Sequence, residues 1–429
     1  MTEVLHNADF LLSGAARRHA GYALLRGHGA VTPITLRSGE TGYMVVGFTA
    51  ARQALTDPRL RGRTATLGNR RGMSEDLRRA MNSHMLNAGA DDHARLRRLV
   101  APAFTRRRMA AMRPRVQAIA DGLLDAVAAA GTAGTAGAGT ADLLAAYALP
   151  LPVRVLIELF GIPEEDSDDF HRWTDALTTD ALPIDRLDAT AAEMLGYIRG
   201  LLDRKRREPR PDLLSALVAA HDGGDRLSAD ELTSMVFLLL TAGHETTVNL
   251  IGNGLLALLA HSDRLRAVRD DPELLPAAVE EALRYESPVQ IALRHCVEPM
   301  ELAGMPIPEG GTVLVSLLGA NRDPDRFPDP DLLDLARADN PQLGFGYGVH
   351  HCIGAPLARL EGQVAIGAVL ARFPELRLAE PPDGLEWRPS VIMHGLTALP
   401  VVLGPEAAPH RPAGAARPVG FAEKAGPRP

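Results

Sequence analysis

The sequence predicts a mainly α-helical protein with small β-sheets. Three observations carry this reading. Apolar residues recur at helical spacing through most of the chain, one long apolar segment near its middle carries a complete helix-start signature, and the β-prone runs are few and short. No repeat and no internal composition shift marks a second domain in the 429 residues.

Taken in order, residues 43–46 form the first short β-prone run. Residues 109–130 are rich in Ala and Leu at helical spacing and predict one helix. The low-complexity GTAGTAGAGT of residues 131–140 predicts a loose loop. Ser228, with Glu231 three residues on, forms a capping box ahead of an apolar run, so a helix starts there and runs to about His261. Another covers 274–285 and stops before Pro288. Residues 311–317 and 396–403 are further β-prone runs, and 323–330 (DPDRFPDP) is irregular. Residues 404–429, rich in Pro, Ala and Gly, predict a disordered tail behind one folded unit of residues 1–403.

Composition narrows the function. Hydrophobic residues make up 46% and aromatics only 4%, so the core must rest on Leu, Val, Ile and Ala. A formal charge of -7 gives no global sign of a nucleic-acid partner. Two cysteines, Cys296 and Cys352, make no disulfide framework. The N-terminal residues lack the basic and apolar regions of a signal peptide, and His244, Glu245 and Asn249 interrupt the most apolar window. The expectation is a reduced, cytoplasmic protein without a membrane span.

The most informative segment is 345–361, FGYGVHHCIGAPLARLE. Gly346 and Gly348 can take positive φ and let the backbone approach a flat ligand. Cys352 sits just before a helix N-terminus, whose free amides and positive dipole end favour a thiolate. A lone cysteine is usually a small buried hydrophobe. Zinc is a poorer reading, since the adjacent His350, His351 and Cys352 cannot easily all reach one tetrahedral ion. In the long helix, Ala242-Gly243-His244-Glu245-Thr246-Thr247 puts a carboxylate and a glycine where a packing helix would have neither. A hydroxyl beside a carboxylate can relay protons. A kink with Glu245 in a buried ion pair is the structural alternative.

These segments resemble the cytochrome P450 family. The cysteine loop is similar to its F-G-x-G-x-[RH]-x-C-x-G, with Phe345, Gly346, His350, Cys352 and Gly354 in place, and residues 242–246 match its central-helix signature. The resemblance implies a triangular helical fold and a b-type haem bound through Cys352. It gives Ala242 contact with the haem and makes Glu245 and Thr246 the proton-delivery pair. Glu281-Ala-Leu-Arg284 resembles the family's structural E-x-x-R motif, with Arg337 as the candidate second arginine. His93 and Arg97, four apart on one helix face, resemble its H-x-x-x-R pattern. With Arg294 and His350 they are implied propionate ligands. The substrate pocket is expected along 62–90, 170–188, Leu238 to Ala242, Val289, Ile291 and Ala292, and 391–393 with Ile392. The side chains nearest the haem are then expected to be aliphatic and small, with no aromatic wall. Asp175, Asp180 and Asp185 could meet a cationic group or simply face solvent.

Residues 93–115 hold eight arginines and no acid. Codon bias and a docking surface for an acidic electron carrier explain this equally well. No flavin or nicotinamide fingerprint is present, so the resemblance implies electrons from NAD(P)H through a ferredoxin reductase and a separate ferredoxin. A monomer is expected. Soluble bacterial members that tailor macrolides and other secondary metabolites are the most similar, which implies hydroxylation or epoxidation of a mainly aliphatic substrate. Peroxygenase, isomerase and ring-coupling chemistry on the same fold, a haem sensor and a haem-free binding protein are the alternatives. Departures from the pattern are Tyr347, where relatives often carry His, Ala-Asp-Asp before His93, and the glycine-rich insert at 131–139.

Overall fold

The computed structural model describes residues 8–36, 38–62, 74–132, 139–166, 169–170, 172–173, 176, 184–222 and 227–406. Most of the described chain is helical, with three small sheets. Residues 133–138 of the glycine-rich insert at 131–139, and residues 407–429 of the tail expected from 404, lie outside the described residues.

The organising element is the central helix, Ala229–Ala260. Both halves of its capping box form. Ser228 Oγ accepts the Glu231 amide at 3.1 Å, and the Glu231 carboxylate accepts the Ser228 amide at 2.7 Å. Asp230 and Glu231 add negative charge at the positive end of the helix dipole. The helix spans about 48 Å at about 1.5 Å per residue. It is buried on nearly all sides between Leu232 and Leu258, which is why its sequence is apolar all round. Each buried aliphatic side chain contributes roughly 1.5–3 kcal/mol, so the run absorbs the cost of a few polar members. It packs against Ala355–Arg372, the cysteine helix. Gly254 marks that close approach, because a Cβ there would lie 2.8 Å from Ile366 Cδ1.

Two boundaries differ from the sequence expectation. The helix expected over 109–130 is two, Arg106–Ala111 and Arg113–Thr132. Pro114 lies at the start of the second, where its missing N–H is tolerated, but it cannot continue the helix before it. The run at 396–403 yields only a short strand, Pro400–Val402, with an isolated bridge from Leu396 to Trp387. Pro400 opens the strand, the place where proline costs no ladder bond.

Ten strands are described: β1 (Val31–Thr35), β2 (Thr41–Val45), β3 (Leu60–Gly62), β4 (Thr140–Asp142), β5 (Ile291–Cys296), β6 (Met300–Leu302), β7 (Met305–Ile307), β8 (Thr312–Ser316), β9 (Arg377–Leu378) and β10 (Pro400–Val402). The largest sheet has the order β1-β2-β8-β5-β3, with β2 and β8 parallel and the other neighbours antiparallel. In it β5 pairs Ile291 with Ser316 and Arg294 with Val313. That register carries Ile291, Ala292 and Arg294 to one central cavity. No helix among the described residues is long and apolar enough to cross a membrane.

Candidate active site

The cavity has a volume of about 480 Å³ and lies between the central helix and the cysteine loop. The loop is shaped by its own backbone. The Gly346 amide donates to Leu343 O at 2.7 Å, and the Cys352 amide donates to Phe345 O at 2.9 Å. Gly346 and Gly348 both adopt positive φ, 71° and 73°. At Gly348 a side chain is also excluded by space, since a Cβ would lie 2.7 Å from Thr56 Cγ2. The cysteine helix starts at Ala355, one residue after Gly354, and has Pro356 in its first turn.

Cys352 opens onto the cavity and is otherwise enclosed by protein. Burial pushes its thiol up, against the opposing pull of the Gly354 and Ala355 amides and of Arg97 and Arg359. The amides and guanidiniums prepare the sulfur for negative charge without ionising it. A metal cation in the cavity would complete the change, because the thiolate is the ligating form.

His93, Arg97, Arg294 and His350 all border the same cavity. The His93 and His350 rings lie 4.3 Å apart between centroids. Arg97 donates to His351 O at 2.7 Å, and Arg294 donates to Leu293 O at 2.9 Å. Among the described residues none of the four pairs with a carboxylate. Burial pulls His350 down to about 4, helped by His93, Arg294 and Arg97. Burial also lowers His93 and Arg294. A buried basic group of this kind lacks its anion, and the two propionates of a haem are the anions that a haem at Cys352 would bring. The donor set therefore fits a thiolate-ligated haem.

From the central helix, Ala242, Gly243, Thr246 and Thr247 face the cavity. Thr246 Oγ1 donates back to Ala242 O at 2.9 Å. Glu245 is buried but does not border the cavity. Its Oε1 lies 3.6 Å from Arg388 Nη1. Consecutive residues on a helix do not face each other, so the structure brings Thr246 to the cavity and turns Glu245 to the side. Leu238, Val289, Ile291, Ala292 and Ile392 form the apolar wall with Leu239.

Below the loop, Glu281 accepts from Arg284 Nε at 2.9 Å and Nη2 at 2.7 Å. Arg337 Nε adds a bond at 3.3 Å, the Asp334 amide one at 2.9 Å, and Asn340 one at 3.1 Å. The three charged residues named from sequence thus meet in one buried cluster. Phe345 lies under the Arg359 guanidinium, 4.5 Å from its ring centre.

The expectation of a wall free of aromatics is corrected. Phe104 and Phe160 border the cavity, besides Phe345 and Tyr347 of the loop. Phe160 sits at the end of helix Pro150–Phe160, whose Leu156 packs beside Gly243 of the central helix. Tyr347 is held by Arg52, which donates to its hydroxyl and stacks 4.2 Å over its ring. Of the expected pocket stretches, 63–73 and most of 171–183 lie outside the described residues, with Asp175 and Asp180.

Sequence reasoning missed two residues. Glu361 borders the cavity from the cysteine helix, and burial raises its carboxyl well above the usual range. Its Oε2 has no hydrogen-bond partner among the described residues. A carboxylate among Leu357, Leu360 and Val364 was the available signal. Arg388 had no signal, because its partner Glu245 is remote in the chain.

Comparisons with known proteins fit this geometry. Residues 61–398 match the family description "Cytochrome P450". The chain is 47% identical to the cytochrome P450 monooxygenase PikC of Streptomyces venezuelae, over 90% of this chain and 91% of that protein. It is 42% identical to the 6-deoxyerythronolide B hydroxylase of Saccharopolyspora erythraea, over 89% and 95%. Among solved structures, the tirandamycin C-bound P450 monooxygenase TamI superposes with a TM-score of 0.81 at 40% identity, covering 93% of this chain and all (100%) of that one. A family match over most of the chain, relatives above 40% identity and a cavity that joins a cysteine to a basic, anion-free edge lead to one conclusion: this chain belongs to the cytochrome P450 family of haem-dependent monooxygenases.

Proposed function

We propose that this monooxygenase hydroxylates or epoxidises a mainly aliphatic secondary metabolite of macrolide or polyketide type, on a b-type haem ligated by Cys352. One observation carries the reading. Cys352, the four basic side chains, Thr246 and an aliphatic wall border a single cavity. When bound, a thiolate-ligated haem supplies oxygen activation: two electrons and two protons send one atom of O2 into a C–H or C=C bond and the other into water.

The chain's own residues do the rest. Cys352 would ligate the iron, supported by the Gly354 and Ala355 amides. His93, Arg97, Arg294 and His350 would bind the propionates, and Phe345, Gly346 and Ala242 would line the space of the haem. Thr246 holds a proton at its Oγ1 on the cavity side, and Glu245 resupplies it from the adjacent flank of the helix. Glu281, Arg284 and Arg337 fix the loop's platform. Leu238, Val289, Ile291, Ala292 and Ile392 exclude water and orient the substrate by shape.

Electrons come from NAD(P)H through a reductase and a separate ferredoxin, docking on the 93–115 region of a cytoplasmic monomer. Arg97 of that region faces the cavity, Arg95 pairs with Glu231, and Arg115 pairs with Glu158 at 2.8 Å. Arg106, Arg107 and Arg108 remain exposed on their six-residue helix. An acidic partner would meet these guanidiniums.

The test of the substrate class is a spectral titration of the holoenzyme. A macrocycle such as 6-deoxyerythronolide B shifts the haem to high spin, and benzoate binds weakly. Tight benzoate binding with no response to any macrocycle or polycycle would overturn the proposal.

A further inference from the structure

Glu245 is carried by a helix but aimed by another segment. The central helix leaves its carboxylate beside the cavity rather than in it, since neighbours on a helix diverge by about 100°. Arg388 is a cation that it meets among the described residues, with Nη1 3.6 Å from Oε1. Glu245 is 11% exposed at its side chain and Arg388 is 29% exposed, so the pair bridges the interior and the outside. A carboxylate in an apolar helix is costly unless paired, and this pairing makes Glu245 tolerable there.

Arg388 is itself held firmly. Its carbonyl accepts from Arg18 Nη2 at 2.6 Å, and its amide donates to Gly395 O at 2.9 Å. The segment around it is clamped to the body. Asn253 of the central helix donates to His394 O at 2.9 Å, and Gln290 donates to Ser390 O at 2.5 Å. Gly395 sits directly on Asn249 of the same helix. His394 stacks on Trp387 at 4.3 Å, accepts from Arg18 at Nδ1 and contacts Glu286 through Nε2. His19, Glu286 and His394 have ligand-like spacing, but Arg18 and Arg322 already supply their cations, so the cluster is a clamp and not a metal site. Four residues beyond Arg388, the same segment places Ile392 in the cavity wall.

We propose that Arg388 is a positioning residue for Glu245: it fixes the carboxylate at the outer edge of the central helix, on the segment that also forms the substrate wall. The inference rests on Glu245 supplying Thr246 with protons.

The test uses the holoenzyme carrying Arg388→Met, Arg388→Lys, Glu245→Gln, or Arg388→Met with Glu245→Gln. Met keeps the unbranched, largely apolar stem of the side chain and removes its charge. The expected result is a spin-state titration within about twofold of the parent and a roughly tenfold loss of product per NAD(P)H in R388M. R388K restores most of the coupling, R388M enlarges the solvent isotope effect, and the double variant is no worse than E245Q. Parental coupling in R388M with uncoupled E245Q overturns the inference alone. Parental coupling in E245Q overturns the underlying reading. Equal failure of R388M and R388K to bind haem or shift spin would make Arg388 a folding residue and overturn the inference as well.

Discussion

Arg284 grips Glu281 with two hydrogen bonds of 2.7 and 2.9 Å, one helical turn away and wholly out of solvent. Its remaining donors reach the carbonyls of Asn321, Pro330 and Leu332, so one guanidinium ties three points of the loop region to the helix Leu275–Tyr285. Glu281→Ala leaves Arg284 and Arg337 buried without their anion, a loss of about 3–5 kcal/mol. The variant is expected to express poorly and to carry little haem, measured as the Soret-to-protein absorbance ratio. A parental ratio and a parental unfolding midpoint would show that the cluster does not carry the loop.

Thr246→Ala removes the only side-chain oxygen that the Ala242–Thr246 turn presents to the cavity. Substrate binding and haem reduction persist, and electrons leave as hydrogen peroxide instead of product. General acid–base groups contribute about 10²–10⁴-fold, so product per NAD(P)H falls at least tenfold. The check is the ratio of peroxide to product, and unchanged coupling would remove Thr246 from the relay.

The clamp at His394 gives the fold a pH dependence. Arg18 has no lone pair to accept with, so His394 Nδ1 is the acceptor and Nε2 carries the proton toward Glu286, 2.5 Å away. Burial pulls His394 down to about 4, from 6.5. Burial pushes the Glu286 carboxyl up, but His19 and His394 overcome it and hold it well below the usual range. Below pH 6.5 the unfolded chain protonates this histidine and the folded chain does not, so stability falls as pH drops from 6.5 toward 4. His84, also pulled down to about 4 by burial, acts in the same direction. Glu286 contributes stability that is lost only further down, below the ordinary carboxylate range. The His394 share is at most about 3 kcal/mol. His394→Gln lowers the unfolding temperature near neutral pH and flattens its fall on acidification, and parallel curves for the two proteins would contradict this.

The reach of the sequence follows from how local each feature is. The central helix was readable because Ser228, Glu231 and the apolar run that they precede are contiguous. The cysteine loop was readable for the same reason, with its glycines, Cys352 and helix start inside ten residues. Pro114 was readable in principle, but the Ala- and Leu-rich pattern on both sides masked the break. Phe160 reaches the cavity from the helix Pro150–Phe160, far in sequence from the rest of the wall, and no local pattern marks it. Arg388 meets Glu245 only because Arg18, Asn253 and Gln290 seat its segment, and no spacing in the chain encodes that.

The central claim is that Cys352 ligates the haem iron, and its most direct test is the spectrum of the reduced, CO-bound protein. The parent gives the red-shifted Soret band of a thiolate-ligated haem. In Cys352→Ser, where the backbone donors and the basic edge remain, that band is lost, either with haem still bound or with its uptake reduced. A thiolate-type band that survives in Cys352→Ser would contradict the account.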